Sequence, residues 1–397
     1  MYIKTCLSLG ILLLPLYLQS KVISLEEILS QVNNNHPKVK FALNQATYSS
    51  SMATLKQSLN PMNLNASTAM ASEDGGESGQ EFSFSLSKKI LFGTSSSALE
   101  DYVSSKKEAS RLRYKQSMIE LKNNIAYVYH EACLNKQQVN AFKEVVQSFE
   151  LLQRKRQKAY EFGEISKIDL LLLSIELRTI RQEEKNLISQ YEQSLELLYK
   201  EAYVLQKELP MCQDLKEISS WEKVNMDEAL PIQALQKNMK AAQSLYQRFN
   251  SGISPIGLSV GMQQELDTQR ITFGLSIPLN FSSGKQEAKR MLALSQTHML
   301  QNRLQVLKKS AKKEGEILGK KLNLAFTNVQ NAQETLHLYE QELIPLMAKS
   351  YELGESSLIE LLLAKREMWK LRETLSKEKR LYYQSLFNYY NLVSSKE

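Results

Sequence analysis

The sequence predicts a mainly α-helical membrane protein: very long coiled-coil helices continuing into four membrane-length β-strands, with the whole built as an internal tandem duplication. Three observations predict it. Turn-forming residues are scarce, 14 glycines and 8 prolines in 397 residues, about half the usual share, so elements must be long. One series of landmarks occurs twice along the chain. Four short segments alternate apolar with polar or small residues over the length that a tilted membrane strand needs.

The composition is 43% apolar and 23% charged, which suffices for a core and argues against overall disorder. A net charge of +7 is mild for this length and does not imply nucleic-acid binding. At the N-terminus, Lys4 precedes an almost wholly apolar run from Leu7 to Leu18, followed by the small residue Ser20. That is the pattern of a signal peptide over residues 1–20, and the run is shorter than the roughly 20 residues that span a bilayer. A buried N-terminal helix is the alternative. Cys6 lies before the cleavage point, so the exported chain is expected to carry no lipid anchor. The two remaining cysteines, Cys133 and Cys212, are too few for a disulfide scaffold or a Cys-ligated zinc module. No later stretch is long and apolar enough for a transmembrane helix.

The duplication shows first in the prolines: Pro37 and Pro61 are spaced as Pro231 and Pro255 are. Tyr160-Glu161-Phe162-Gly163-Glu164, then Ser166, Ile168, Asp169 and the run Leu170 to Leu172, match a second series at the same spacing. There Tyr351-Glu352-Leu353-Gly354-Glu355 precede Ser357, Ile359, Glu360 and Leu361 to Leu363. The repeats are assigned to residues 21–210 and 227–397, with a linking segment at 211–226. A period this long is that of a duplicated domain, not of a stacked solenoid.

Each copy reads as a short helix, two strands, a very long helix, a tight turn and a long helix. Each short helix lies between its two prolines, one opening it and one stopping it. The hairpin at 62–88 alternates Met62, Leu64, Ala66, Thr68 and Met70 with Asn63, Asn65 and Ser67, then Phe82, Phe84 and Leu86 with Ser83, Ser85 and Ser87; its turn lies between Ser72 and Gln80, with Gly75-Gly76. The hairpin at 256–280 repeats this with Ile256, Leu258, Val260 and Met262, then Ile271, Phe273, Leu275, Ile277 and Leu279, around a turn from Glu265 to Arg270.

From Gly93 to Gly163 runs a stretch of about 70 residues without glycine or proline, about 105 Å as helix. Met118, Leu121, Ile125, Val128, Ala132, Val139, Phe142, Val146 and Phe149 fall on alternating steps of three and four, with Asn135 the one polar break. That is a coiled-coil seam. The matching stretch from Gly284 to Gly354 contains Gly315 and Gly319, which are expected to loosen it. The helix after Gly163 is expected to run to near Pro210. The short and returning helices together then match the long one in length, so stacked pairs can lie beside unbroken helices in one cylinder.

Strands of about ten residues cross an outer membrane when tilted. Four per chain cannot close a barrel, whose smallest known form has eight. Open edges are not tolerated in lipid, so several chains must combine. Two soluble, half-buried hairpins are the competing reading.

These residues resemble the TolC-like outer-membrane efflux proteins. The resemblance rests on Asn35-His36-Pro37, Leu59-Asn60-Pro61, Ser276-Ile277-Pro278-Leu279 followed by Gly284, and the two Tyr-Glu-x-Gly-Glu turns, in their order, spacing and duplication. It implies a homotrimer whose twelve-stranded barrel sits in the outer membrane of a Gram-negative-type cell and continues as a twelve-helix periplasmic tunnel. It also implies a periplasmic adaptor (membrane fusion) protein and an inner-membrane pump of RND or ABC type as partners, and no enzymatic activity.

The resemblance assigns the glycine-centred turns to the periplasmic tips that meet the adaptor: Phe162, Gly163, Glu164, Ile165 and Ser166 in the first copy, and Leu353, Gly354, Glu355, Ser356 and Ser357 in the second. It places an entrance carboxylate at Glu360, with Asp169 its counterpart; a further family carboxylate falls on Leu363, which thins the expected ring of charge. Ser166 with Asp169 and Ser357 with Glu360 also have capping-box spacing, so local capping and pore lining both stay open. Threefold symmetry would bring pore-facing carboxylates together and raise their pKa values.

Other features are structural. Lys308-Lys309, Lys312-Lys313 and Lys320-Lys321 read as solvated or tunnel-facing helix positions. The four histidines are dispersed, so neither a metal site nor a cofactor is proposed. No nucleophile–base constellation or phosphate loop is present. The expected function is a passive exit duct for small solutes, drugs or metal ions. A type I protein-secretion duct is the alternative cargo class, and a periplasmic coiled-coil scaffold without channel activity the alternative of another kind.

Overall fold

The structure, a computed structural model, describes residues 22–32, 36–57, 61–72, 78–204, 208–213, 215–220, 226–251, 255–265, 267–278 and 284–393. The expected signal peptide, Asn35, Leu59-Asn60, the Gly75-Gly76 turn, Leu279 and part of the 211–226 segment lie outside the described residues.

Strand β1 (Val22–Ile23) and helix α1 (Leu25–Gln31) come first, then α2 (Pro37–Gln57), β2 (Asn63–Ser72), β3 (Ser78–Ile90), α3 (Thr94–Glu161) and α4 (Lys167–Ala202). After β4 (Leu209–Pro210) and one 3-10 turn, the order returns: α5 (Leu230–Asn250), β5 (Ile256–Gln264), β6 (Gln269–Ser276), α6 (Gly284–Leu338), α7 (Ile344–Glu352) and α8 (Leu358–Val393). Two compact units divide the chain. One takes the described residues of Met1–Gln31 with Val128–Lys216, the other Val32–Tyr127 with those of Glu217–Glu397. One boundary between them falls within α3, between Tyr127 and Val128, and another between Lys216 and Glu217, inside the segment assigned between the repeats.

The prolines start their helices as expected. Pro37 is the first residue of α2, and the preceding His36 Nδ1 accepts the Lys38 N–H at 3.2 Å, satisfying a donor of the first turn. Pro231 sits in the first turn of α5, where its missing N–H costs nothing. Helix α3 runs unbroken for 68 residues. From Leu121 to Phe149 every apolar residue of the seam is buried, and so is Asn135. The steps of three and four therefore mark the packed face of the helix.

The second long helix departs from expectation twice. Gly315 and Gly319 are buried within a continuous α6, and a side chain at Gly315 would collide with the Met226 Cε. Gly315 admits a close neighbour, and neither glycine interrupts the helix. The interruption comes instead at Tyr339–Leu343, one π-helical turn just before Pro345. Proline has no N–H to donate, and its ring crowds the carbonyl four residues back, so the hydrogen-bond ladder widens there. Helix α4 likewise ends early, at Ala202, because Tyr203 takes a left-handed cap with φ 55°.

In the second unit the four strands form one antiparallel sheet in the order β2-β3-β5-β6. The register sets Leu64 against Leu86, Leu86 against Val260, and Val260 against Phe273. Because side chains alternate, one face is mainly apolar, including Leu64, Phe84, Leu86, Met262, Ile271 and Phe273, broken by Thr68, Gln80, Lys88, Gln264 and Gln269. The other carries Asn63, Asn65, Ser83, Ser85, Ser259 and Thr272. The apolar face is bare, with Phe273 83% exposed. Strands β2 and β6 are edges, and the sheet does not close. Below it Ala53 of α2, Leu99, Tyr102 and Val103 of α3 and Ala241 of α5 make one core cluster, and α5 joins α6 through Leu235, Ala242 and Leu300.

In the first unit a disulfide joins Cys133 of α3 to Cys212. The same segment is held by Tyr129 Oη, which accepts the Cys212 N–H at 3.2 Å, by Lys136 Nζ, which donates to Pro210 O at 3.3 Å, and by His130 Nε2, which accepts the Lys216 N–H at 2.8 Å. Strand β4 pairs with β1 in parallel. The bond closes a loop spanning 79 residues, which in the chain-entropy model contributes about 4.5 kcal/mol. Reduction, or Cys133→Ala with Cys212→Ala, is expected to lower the unfolding free energy of the extracted protein by that order, read from denaturant titrations followed by circular dichroism with and without dithiothreitol; an unchanged midpoint and slope contradict it.

Candidate functional site

The two glycine-centred turns have the same backbone bonds. In the first, Gly163 N–H donates to Tyr160 O and Glu164 N–H to Ala159 O, each at 2.9 Å. In the second, Gly354 N–H donates to Tyr351 O at 3.2 Å and Glu355 N–H to Ser350 O at 2.9 Å. Both are Schellman closures, which need a left-handed residue after the helix. Gly163 and Gly354 supply it with φ 77° and 76°. A side chain at either would meet nothing within 4 Å, so the requirement for glycine is one of backbone conformation alone. The turns present bare apolar side chains: Phe162 is 79% and Leu353 65% exposed, followed by exposed Ile168 and Ile359. Glu164, Ser166, Glu355 and Ser357 are exposed; Ile165 and Ser356 are half-buried.

Both serine–carboxylate pairs cap helices. Ser166 Oγ accepts the Asp169 N–H at 3.2 Å and donates to Asp169 Oδ2 at 2.9 Å. Ser357 Oγ accepts the Glu360 N–H at 3.2 Å, while Glu360 Oε2 accepts the Ser357 N–H at 2.7 Å, a reciprocal capping box. The backbone bond from Ser357, with the Ser357 side chain second, holds the Glu360 carboxyl below the usual range. Leu363 is exposed one turn further on.

The turns differ in one respect that the sequence reading missed. Burial pulls the Arg156 guanidinium down, while the nearby Asp169 and Glu164 carboxylates push it up. Asp169 therefore shares its surroundings with a cation from α3, whereas the position matching Arg156 in the second copy is Met347. The two turns are equivalent in backbone and unequal in charge.

A second missed feature is a stripe along α6. Leu292, Met299, Val306, Ile317, Leu324 and Leu338 are all more than half exposed, while the buried seam of the same helix follows Ala293, Leu300, Ala311, Leu322 and Val329. Seven-residue steps drift by about 20° each on a straight helix, and the longer step from Val306 to Ile317 turns the stripe back. Its heptad spacing was the available signal. Among the described residues no group of His, Cys, Asp and Glu is placed to hold a metal ion, and no helix is long and apolar enough to cross a membrane.

No family model matches the sequence, and no curated protein does. Solved structures match along nearly the whole chain. CusC, described as forming a transmembrane channel, superposes with a TM-score of 0.75 at 17% identity over 94% of this chain and 91% of its own. The MtrE outer membrane channel of Neisseria gonorrhoeae, in its open state, gives 0.72 at 14% identity over 94% and 89%. The CmeC outer membrane channel of Campylobacter jejuni gives 0.69 at 16% over 94% and 85%. The chain has the fold of the TolC-like outer-membrane channels, as the motifs led us to expect.

Glu360 gives this site its pH dependence. A carboxyl held below its ordinary value adds stability that is fully present at neutral pH and is lost as pH falls through the lowered folded value. Titration of the Glu360 side chain by carbon-13 NMR is expected to give a midpoint below that of free glutamate. Ser357→Ala, which keeps the backbone donor and deletes the hydroxyl, is expected to move it part of the way back. A midpoint at or above that of free glutamate contradicts the capping role.

Proposed function

We propose that this chain is the protomer of a trimeric outer-membrane exit duct that passively conducts small solutes, drugs or metal ions delivered by an inner-membrane pump through a periplasmic adaptor. The observation that carries it is the sheet: four strands, one bare, mainly apolar face, one polar face and two unpaired edges. In lipid each edge has to find a partner. Three copies supply twelve strands, within the range of known outer-membrane barrels, with the apolar face toward lipid and the serine-rich face toward the lumen. The channels of the same fold support the outer-membrane setting, and the disulfide suits an oxidising compartment.

The exposed heptad stripe of α6 supports association of the helices, since unpartnered apolar residues at this spacing are a seam awaiting another helix. In this assembly the residues of 162–166 and 353–357 are the adaptor-docking tips, with Phe162 and Leu353 as the apolar contacts. Glu360, uncompensated and held ionised, is the stronger candidate for charge at the entrance; Asp169, near Arg156, is the weaker. No catalytic or cofactor role is proposed.

Met299→Glu with Val306→Glu tests the interface. Both side chains are exposed in the single chain, so the fold is expected to survive by circular dichroism. Light scattering in detergent is expected to fall from trimer to monomer, with loss of channel activity in planar bilayers. A variant that stays trimeric and conducting removes the stripe from the interface. A wild-type protein that is water-soluble and never conducts removes the duct and leaves the periplasmic scaffold.

A further inference from the structure

The sheet and the start of α6 line a half-open cavity of about 590 Å³ at the helix end of the strands. Its lining draws on all four strands and includes Lys88 and Lys89 from the end of β3, and Lys285 and Lys289 from the first turns of α6. No aspartate or glutamate lines it. Among the described residues, the side chains of Lys88, Lys89 and Lys285 make no ion pair or hydrogen bond, and the Lys289 ammonium meets only the Phe249 ring, at 5.9 Å. The one acidic residue in the first turn of α6, Glu287, is engaged by Arg290 at 2.6 Å. Lys285 and Lys289 are one helical turn apart, so they share a face and repel each other. They also lie at the positive pole of α6.

Alternation along the strands gives the cavity its sidedness. Lys89 lies on the polar face with Ser87, Ser259 and Ser276, while Lys88 continues the apolar face, directly opposite Leu258. Lys89, Lys285, Lys289 and the serine hydroxyls thus form a set of donors and cations with no acceptor of opposite charge. The volume falls within the range of small-ligand sites, and charge-assisted bonds from ammonium groups are strong where the counter-group is an oxyanion.

We infer that this cavity is a binding site for phosphate- or carboxylate-bearing anions, and that the duct admits such anions in preference to free cations. The cargo part rests on the proposed duct; the binding part does not. Three copies place nine polar-face lysines, Lys89, Lys285 and Lys289 of each, around the helix end of one barrel, a field that raises the local concentration of anions and, among the proposed cargoes, favours anionic solutes over free metal ions. The same chemistry suits two sources, a free solute on the polar face at Lys89, Lys285 and Lys289, or an anionic lipid headgroup reached by Lys88.

The test uses the full-length, detergent-extracted protein and inorganic pyrophosphate, followed by isothermal titration calorimetry. Saturable binding is expected, weakened at least tenfold in the Lys89→Gln, Lys285→Gln, Lys289→Gln triple variant, with circular dichroism and particle size unchanged. No binding by the wild-type protein, or equal binding by the variant, overturns the site. Repeating the titration in nanodiscs of phosphatidylcholine and of phosphatidylglycerol separates the sources. Binding retained in both assigns the site to a free solute; binding lost in phosphatidylglycerol and restored by Lys88→Gln assigns it to a headgroup and overturns the cargo preference. In planar bilayers under a potassium chloride gradient, the reversal potential is expected on the chloride side and to move toward zero in the triple variant. Cation-selective conductance overturns the cargo assignment and leaves the duct standing. Pyrophosphate binding without any conductance removes the duct and leaves the anion site.

Discussion

The rest of the structure depends on the pairing of β3 with β5. Phe82 to Ile90 pair with Ile256 to Gln264, joining two hairpins far apart in the sequence into one sheet. Register decides everything about that sheet, because a slip of one residue would turn every side chain to the opposite face. As built, Phe84 opposes Met262 and Leu86 opposes Val260, so the apolar rows of both hairpins merge. The polar rows merge on the other side, and with them Lys89 comes to lie near Lys285 and Lys289. A sheet with one bare apolar face and two free edges is incomplete in water, and equally so in lipid until its edges are paired.

The helices pose the same problem in another form. Each long helix has a buried seam: in α3 the aliphatic and aromatic row ending at Phe149, in α6 a row of smaller residues that includes Gly315 and Gly319. Helix α6 also has a second apolar row that stays exposed among the described residues. The buried row holds the chain's own fold, and in the proposed assembly the bare row holds one chain to the next. The turns are more self-contained. Their geometry is closed by backbone bonds, and their carboxylates are already committed to the helix starts, which leaves the exposed Phe162 and Leu353 as the groups most available to a partner.

Much of this was legible in the residue pattern, because it depends on periodicity. Alternation located the strands to within a few residues, the three-and-four steps named the buried face of α3, and the duplicated Tyr-Glu-x-Gly-Glu motif located two turns that share the same pair of closing backbone bonds. What escaped depends on contacts between distant residues. Nothing local shows that Cys212 reaches Cys133, that Met226 packs on Gly315, or that Arg156 approaches Asp169. The lysines at 88, 89, 285 and 289 sit at the ends of elements far apart in the chain and become one feature only once β3 and β5 pair. Two misses had local signals: Pro345, whose missing N–H forces the π turn, and the heptad row of α6.

The central claim is that three copies of this chain complete one another's sheet. Electron cryomicroscopy of the detergent-extracted particle tests it most directly. A threefold tube is expected, in which β6 of each chain pairs with β2 of the next to close twelve strands, continued by a helical shaft on the order of 100 Å long. A soluble particle without a barrel, or one with twofold symmetry, would contradict it.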